Sequence, residues 1–320
     1  LVIEDMVNHP QKARSLPILS QGLFTTIVSH TSFGLYVVLS KDLFSRFPPF
    51  GLLACSFSFA LLVGSIILHR EFRWNDVLIG SLWLVAFVAL LRSLTKMLAV
   101  QYTLATYVQL LGLMSPFFTA MLARVFLSEK LPQGTIPALV VSTAGAFLVV
   151  VHNPLEMQLP NGQSDLIGLG LATASAVLMA VLVVITSFST RQRSNPVNVY
   201  LQQTFTLATA YLLLSVLFKE SWEPFWQIDL AALGYLLVFF LIVSVGGGLT
   251  VFAISRINST LFSTLLSLRL VVAIVAGWII LDEQFTSWFQ ILGTLLVITA
   301  ITWYLWRSKI SNTRKPEHVI

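Results

Sequence analysis

Ten apolar stretches, each close to the length of a bilayer crossing, follow one another between Ile18 and Trp306. A helix rises about 1.5 Å per residue, so roughly 20 apolar residues cross a hydrocarbon layer about 30 Å thick. Inside that layer each backbone N–H and C=O must find a partner within the protein, and runs of this length do so as helices. The first five are Ile18–Ser40, Phe50–Leu68, Val77–Leu98, Thr103–Leu127 and Gly134–Val151. The second five are Leu166–Phe188, Val197–Phe218, Leu230–Ser255, Asn258–Leu281 and Ser287–Trp306. Only 10% of the 320 residues are charged, against about 25% in soluble domains. The expected fold is an all-α integral membrane protein with ten transmembrane helices.

The longest break, His152–Asp165, holds two Pro, two Asn and a Gly, the composition of a linker. It divides the chain into residues 1–155 and 156–320. The two parts echo each other. Leu127-Ser128-Glu129-Lys130-Leu131 and Leu281-Asp282-Glu283-Gln284-Phe285 each put a Glu directly after an apolar run. Aligning Glu129 with Glu283 lays the fourth run over the ninth and the fifth over the tenth. Five crossings per unit is an odd number, so the second unit is expected to be inverted relative to the first.

The basic residues test that topology. With ten crossings both termini share one side, and that side carries twelve Lys and Arg in or near its loops, including Arg70, Arg73, Lys130, Arg191 and Arg193. The other side has three: Lys41, Arg46 and Lys219. Cytoplasmic loops are enriched in Lys and Arg, so both termini are expected in the cytoplasm of an inner or plasma membrane. Trp222, Trp226 and Trp288 fall near outer ends, and Trp74, Trp303 and Trp306 near inner ones, as interfacial anchors do.

Several chemistries find no support. Basic residues are scattered among apolar runs, which does not describe a nucleic-acid partner. The single Cys55 allows no internal disulfide. No G-x-x-x-x-G-K-[ST] or G-x-S-x-G motif occurs, and no His/Cys/carboxylate cluster has metal-ligand spacing. No cofactor or metal is expected, and the expected partners are the lipid bilayer and a small-molecule substrate. Residues 1–16 are polar and mixed in charge, unlike a cleaved signal peptide.

A ten-span chain whose halves each carry a Glu after the fourth span resembles the drug/metabolite transporter superfamily, and more closely its two-repeat EamA-type members. The residues that carry the resemblance are Pro116-Phe117-Phe118-Thr119-Ala120 leading to Glu129, and Gly277-Trp278-Ile279-Ile280-Leu281-Asp282-Glu283 followed by Gln290-Ile291-Leu292-Gly293. The resemblance implies a secondary transporter that moves small metabolites, often outward. It also implies a central cavity lined mainly by the third, fourth, eighth and ninth spans. One departure stands out. Where the ninth span of such proteins often carries a mid-span Pro, this chain reads Ser267-Leu268-Arg269-Leu270.

Arg269 lies near the middle of its run, and the aligned position in the first unit is Ser115. Arg92 and Lys96 are four apart in the third run and so share a helix face. No Asp or Glu sits within any run. An unpaired basic group near the bilayer centre costs roughly 2.5–3.5 kcal/mol on insertion scales. Arg269 and Arg92 are therefore expected to face a polar cavity that attracts an anion such as a carboxylate or phosphate compound, which Arg engages in bidentate fashion. A structural Arg bonded to backbone carbonyls is the alternative. Lys96 is a further candidate, with snorkelling to an interface as its alternative. Tyr107, Gln109 and His30 offer hydrogen bonds, and an unperturbed imidazole such as that of His30 can exchange protons in the physiological range; interhelical bonding is the plainer role for all three.

Pro116 removes a helical hydrogen bond, and Gly246-Gly247-Gly248 weakens the eighth run. Both are candidate hinges, with close packing as the alternative. Glu129 and Glu283 are expected to accept hydrogen bonds from the first amides of the following helix. The stripe Gly168, Ala172, Ala176, Ala180 predicts helix packing. Two other functions stay open: an intramembrane enzyme acting on lipid or isoprenoid phosphates, and a non-transporting scaffold.

Overall fold

The structure, a computed structural model, describes residues 10–73, 76, 80–127, 134–150, 163–191, 195–256, 267–282 and 287–313. These residues form helices and no strand. In chain order they are α1 (Pro10–Phe44), α2 (Pro49–Leu68), α3 (Gly80–Tyr102), α4 (Ala105–Gly112), α5 (Ser115–Leu127) and α6 (Thr135–Val150). Then come α7 (Gln163–Arg191), α8 (Pro196–Leu217), the short α9 (Glu223–Trp226), α10 (Leu230–Arg256), α11 (Ser267–Leu281) and α12 (Trp288–Thr313). Glu129 and Glu283 lie outside the described residues.

Six segments are long and apolar enough to cross a membrane: Gln21–Phe44, Pro49–Leu68, Gly80–Tyr102, Ala105–Phe126, Ser164–Thr186 and Leu230–Ala253. Shorter apolar helices run over Leu268–Leu281 and Ile291–Ala300. α8 is also long, but its first half carries Asn198, Gln202, Gln203 and Thr204. The outward-facing side chains are apolar, among them Ile66 and Ile67 on α2, Leu213 and Val216 on α8 and Ile279 on α11. A surface of this kind is stable against lipid rather than water.

The fourth run is not one kinked helix. It is two, parted at Leu113–Met114. Pro116 has no N–H to give Gly112, and its ring crowds that carbonyl. The chain answers with a tight turn: the Leu113 amide donates to the carbonyls of Gln109 and Leu110, and the Met114 amide to Leu111. Pro116 then sits in the first turn of α5, where its missing donor matters least.

The packing partners are α3 with α7, α1 with α10, α2 with α8 and α6 with α12; α11 packs on α1, and α4 and α5 pack on α7. Small residues set the closest approaches. A Cβ on Gly168 would stand 2.7 Å from that of Thr103, and Ala172, Ala176 and Ala180 are buried beside it. A Cβ on Gly145 would stand 2.8 Å from the Gly293 carbonyl, which is how close α6 and α12 come.

Polar clasps define the two ends of the bundle. At the first end the Lys41 ammonium donates to the Thr103 carbonyl (2.8 Å), and the Thr103 hydroxyl donates to Asp165 (2.7 Å). There too the amides of Phe50 and Gly51 donate to Glu220 (3.0 and 2.7 Å), so a carboxylate just beyond the end of α8 caps α2. α8 ends at that point because Lys219 adopts φ 52° and turns the chain. At the second end Asn198 pairs with the Arg73 backbone in both directions, and Asn195 donates to the Glu71 carbonyl. Asn195 also caps α8 by accepting from the Val197 amide, with Pro196 in the first turn. Ser81 bonds Ser189 at the same end. α2 and α8 are thus antiparallel neighbours clasped at both ends, and α3 and α7 likewise.

Candidate functional site

Two cavities lie in the bundle and share one wall. The larger, about 950 Å³, is lined by residues from α1, α2, α3, α7, α8, α10 and α11. Its α7 and α8 walls run over Met179–Thr186 and Tyr200–Leu207, toward the second end. The smaller, about 400 Å³, is lined by α4 and α5 residues from Val108 to Ser115 and by Ala172–Met179 of α7, toward the first end. Arg92, Lys96 and Arg269 line both. The three cations therefore stand between a cavity reaching toward one end and a cavity reaching toward the other. The lining extends beyond the third, fourth, eighth and ninth spans to α1, α2, α7 and α8.

Each cation is held by a different arrangement. Arg269 is 4% exposed, and one face of α1 cradles it. The Arg269 Nε donates to His30 Nδ1 (2.8 Å). The guanidinium carbon lies 4.7 Å from the centre of the Phe33 ring. Gly34 lets the α11 backbone against α1, for a Cβ there would meet the Arg269 carbonyl at 2.9 Å and Val272 Cβ at 2.8 Å. Residues 30, 33 and 34 share a helix face because they are three and four apart. Lys96, 8% exposed, lies 5.5 Å from the Tyr36 ring centre and 5.9 Å from that of Phe33. Cation–π contact of this kind contributes about 0.5–2 kcal/mol. Tyr36 is in turn stacked on Phe239, 5.7 Å away.

Arg92 is half-buried, and its Nε is covered and has no hydrogen-bond partner; the same holds for Arg269 Nη2. Among the described residues neither arginine nor Lys96 has an acidic partner. Buried guanidinium N–H groups without acceptors are costly; these two are covered, while Arg92 and Arg269 as residues line both cavities with their positive charge. Gln203 faces the larger cavity among polar neighbours that bond elsewhere: Ser93 accepts from Tyr211 (2.8 Å), and Thr204 donates to the Tyr200 carbonyl (2.7 Å).

The remaining predicted residues sort differently. Gln109 lines the smaller cavity, but its amide nitrogen donates to the Phe33 carbonyl (2.9 Å), so it ties α4 to α1. Tyr107 is buried and lines neither cavity. His30 is fully buried and reaches the cavities through Arg269. α10 runs unbroken through Gly246, Gly247 and Gly248. A Cβ on Gly246 would meet Ser32 at 3.0 Å and one on Gly247 the Tyr200 ring at 3.4 Å, so in this conformation the glycines admit α1 and α8. Sequence reading placed Tyr36 in a mid-membrane polar patch with His30 and missed Phe33 and Gln203. The signal for Phe33 was present in the 30–33–34 spacing, but an aromatic on an apolar face ordinarily reads as core.

The EamA-like transporter family model matches residues 20–151. Over that stretch, less than half of the chain, the sequence is similar to the EamA-like transporter family, part of the drug/metabolite transporter superfamily. The EamA segment thus supplies α1, Arg92, Lys96 and the α4–α5 break. No curated protein sequence matches the chain. Solved structures do match in fold, 27 chains in all. One, described only as the crystal structure of a protein, superposes with a TM-score of 0.65 at 14% identity, over 91% of this chain and 99% of its own. At that identity the likeness concerns fold alone.

Gly34 offers a direct check on the cradle. Gly34→Val would drive a side chain into the α11 backbone, which cannot rotate away. Overpacking typically costs about 1–3 kcal/mol. A drop of several degrees in thermal melting is expected for the purified protein, and an unchanged melt would refute the close approach.

Proposed function

We propose that this EamA-like protein is a secondary transporter that carries a small anionic metabolite by alternating access. The observation that carries this reading is the shared wall: three cations without acidic partners among the described residues, two of them with buried unpartnered N–H groups, lying between cavities that reach toward opposite ends. An anion entering from either end meets the same positive groups. Rocking of one half against the other would expose them to each side in turn.

The architecture we infer is ten spans in two inverted five-helix repeats, residues 1–155 and 156–320. The packing supports it, because exchanging the halves leaves the partners unchanged. α3 on α7 becomes α10 on α1; α4 and α5 on α7 become α11 on α1; α2 on α8 and α6 on α12 map onto themselves. The antiparallel course of α2 and α8 fits the same inversion. With both termini in the cytoplasm, as the basic residues favour, the second end faces the cytoplasm and the larger cavity is the inward one. Pro116 and Gly246–Gly248 remain the places where helices could flex.

Purified protein in proteoliposomes tests the reading. Uptake of labelled inorganic phosphate and of a four-carbon dicarboxylate should exceed that of a neutral sugar of similar size, and should show saturation. Equal flux of neutral and anionic solutes, or none above empty vesicles, would overturn it.

A further inference from the structure

We infer that His30 is a positioning residue: it sets the affinity of the site for an anion by holding Arg269, without touching the anion itself. The inference rests on the anion reading above. Its geometry is independent of it.

His30 is fully buried and lines neither cavity, yet its Nδ1 is 2.8 Å from the Arg269 Nε. Nε–H is the only inner donor of a guanidinium, and engaging it fixes the plane of the whole group. The Phe33 ring under the guanidinium carbon fixes its height, and Gly34 fixes the α11 backbone from which it hangs. With those three contacts made, Nη2 is left buried and unpartnered. The part of the guanidinium that lines the cavities is thus chosen by what α1 occupies. A guanidinium is donor-only, so Nδ1 must carry the lone pair, and the imidazole proton in the neutral ring sits on Nε2. Removing the acceptor frees Arg269 to turn, and a donor that must be ordered at each binding event binds more weakly.

The substitutions His30→Asn and His30→Leu separate positioning from bulk. Asn keeps an acceptor oxygen at the δ1 position; Leu keeps volume and removes the acceptor. The readout is stabilisation of the purified full chain against heat by inorganic phosphate and by a four-carbon dicarboxylate, converted to an apparent Kd, together with KM and the limiting rate of flux. His30→Leu should raise Kd and KM about tenfold, the scale of one charge-assisted hydrogen bond, with little change in limiting rate. His30→Asn should stay near wild type. In an Arg269→Gln background, His30→Leu should change nothing further, because the residue acts through the arginine. Equal, multiplicative losses in both backgrounds would overturn the inference, and so would failure of His30→Asn to restore affinity. No anion response from the wild-type protein would overturn the anion reading and this inference with it; a wild-type response with multiplicative variants would overturn this inference alone.

Discussion

Arg269→Gln should weaken anion binding by about ten- to a hundredfold while leaving the empty protein as heat-stable as wild type, or more so. The two halves of that expectation have separate causes. A charge-assisted hydrogen bond contributes about 1.5–3 kcal/mol, and each 1.4 kcal/mol is roughly tenfold in Kd. Against that, a guanidinium in the middle of a membrane bundle costs about 2.5–3.5 kcal/mol on insertion scales. Here Nη2 is buried with no acceptor, so the resting fold bears that cost. The variant gives up the His30 bond and the contact with Phe33, which offsets part of the gain. An arginine whose role is to hold helices together would behave oppositely, and its loss would lower the melting temperature. Thermal melts with and without inorganic phosphate, paired with flux in proteoliposomes, distinguish the two. Unchanged anion flux together with a lowered melt would assign Arg269 to structure. Arg92→Gln should shift affinity in the same direction.

Opening the first end is the second large effect expected. The proposed alternating access would require that the clasp there come apart, since Lys41, Thr103 and Asp165 join α1, the end of α3 and α7 above the smaller cavity. The joint is tight: Asp165 and Thr103 are buried, and Gly168 brings α7 onto Thr103. Lys41→Met with Asp165→Ala removes the two side-chain bonds. A bias of about 1.4 kcal/mol changes the ratio of two conformers tenfold, and two such bonds carry at least that much. A cysteine at Ser115, in a chain with Cys55→Ser, reports from the smaller cavity. Its labelling by an impermeant thiol reagent applied at the first end should speed up about tenfold in the double variant. Identical labelling with and without the clasp would mean that these contacts do not hold that end shut.

Much of this protein is legible along the chain because a membrane makes sequence explicit. Hydrocarbon demands long apolar helices, so the runs, their turns and the scarcity of charge stand out without any contact being known. For the same reason Arg92, Lys96 and Arg269 were visible as candidates: a cation inside an apolar run needs an explanation. The break in the fourth run was half legible. Pro116 announced a disturbance, but whether it would kink the helix or part it depended on how Leu113 and Met114 could re-bond.

Partnerships are what the sequence alone did not determine. For His30 an interhelical bond was the plainer expectation, but its partner, Arg269, is 239 positions away. Tyr107 could have served a ligand or joined helices, and it is buried away from both cavities. Glu220, which nothing in the sequence singled out, caps α2. In each case the side chain's chemistry is local, but its partner comes from a helix distant in the chain. Apolarity is a property of each run taken singly, so the sequence determined that this chain is a helical membrane protein with cations at its centre. Which groups surround those cations, and that two cavities meet at them, follows from helix faces brought together only in the folded bundle. Tertiary structure alone decided that.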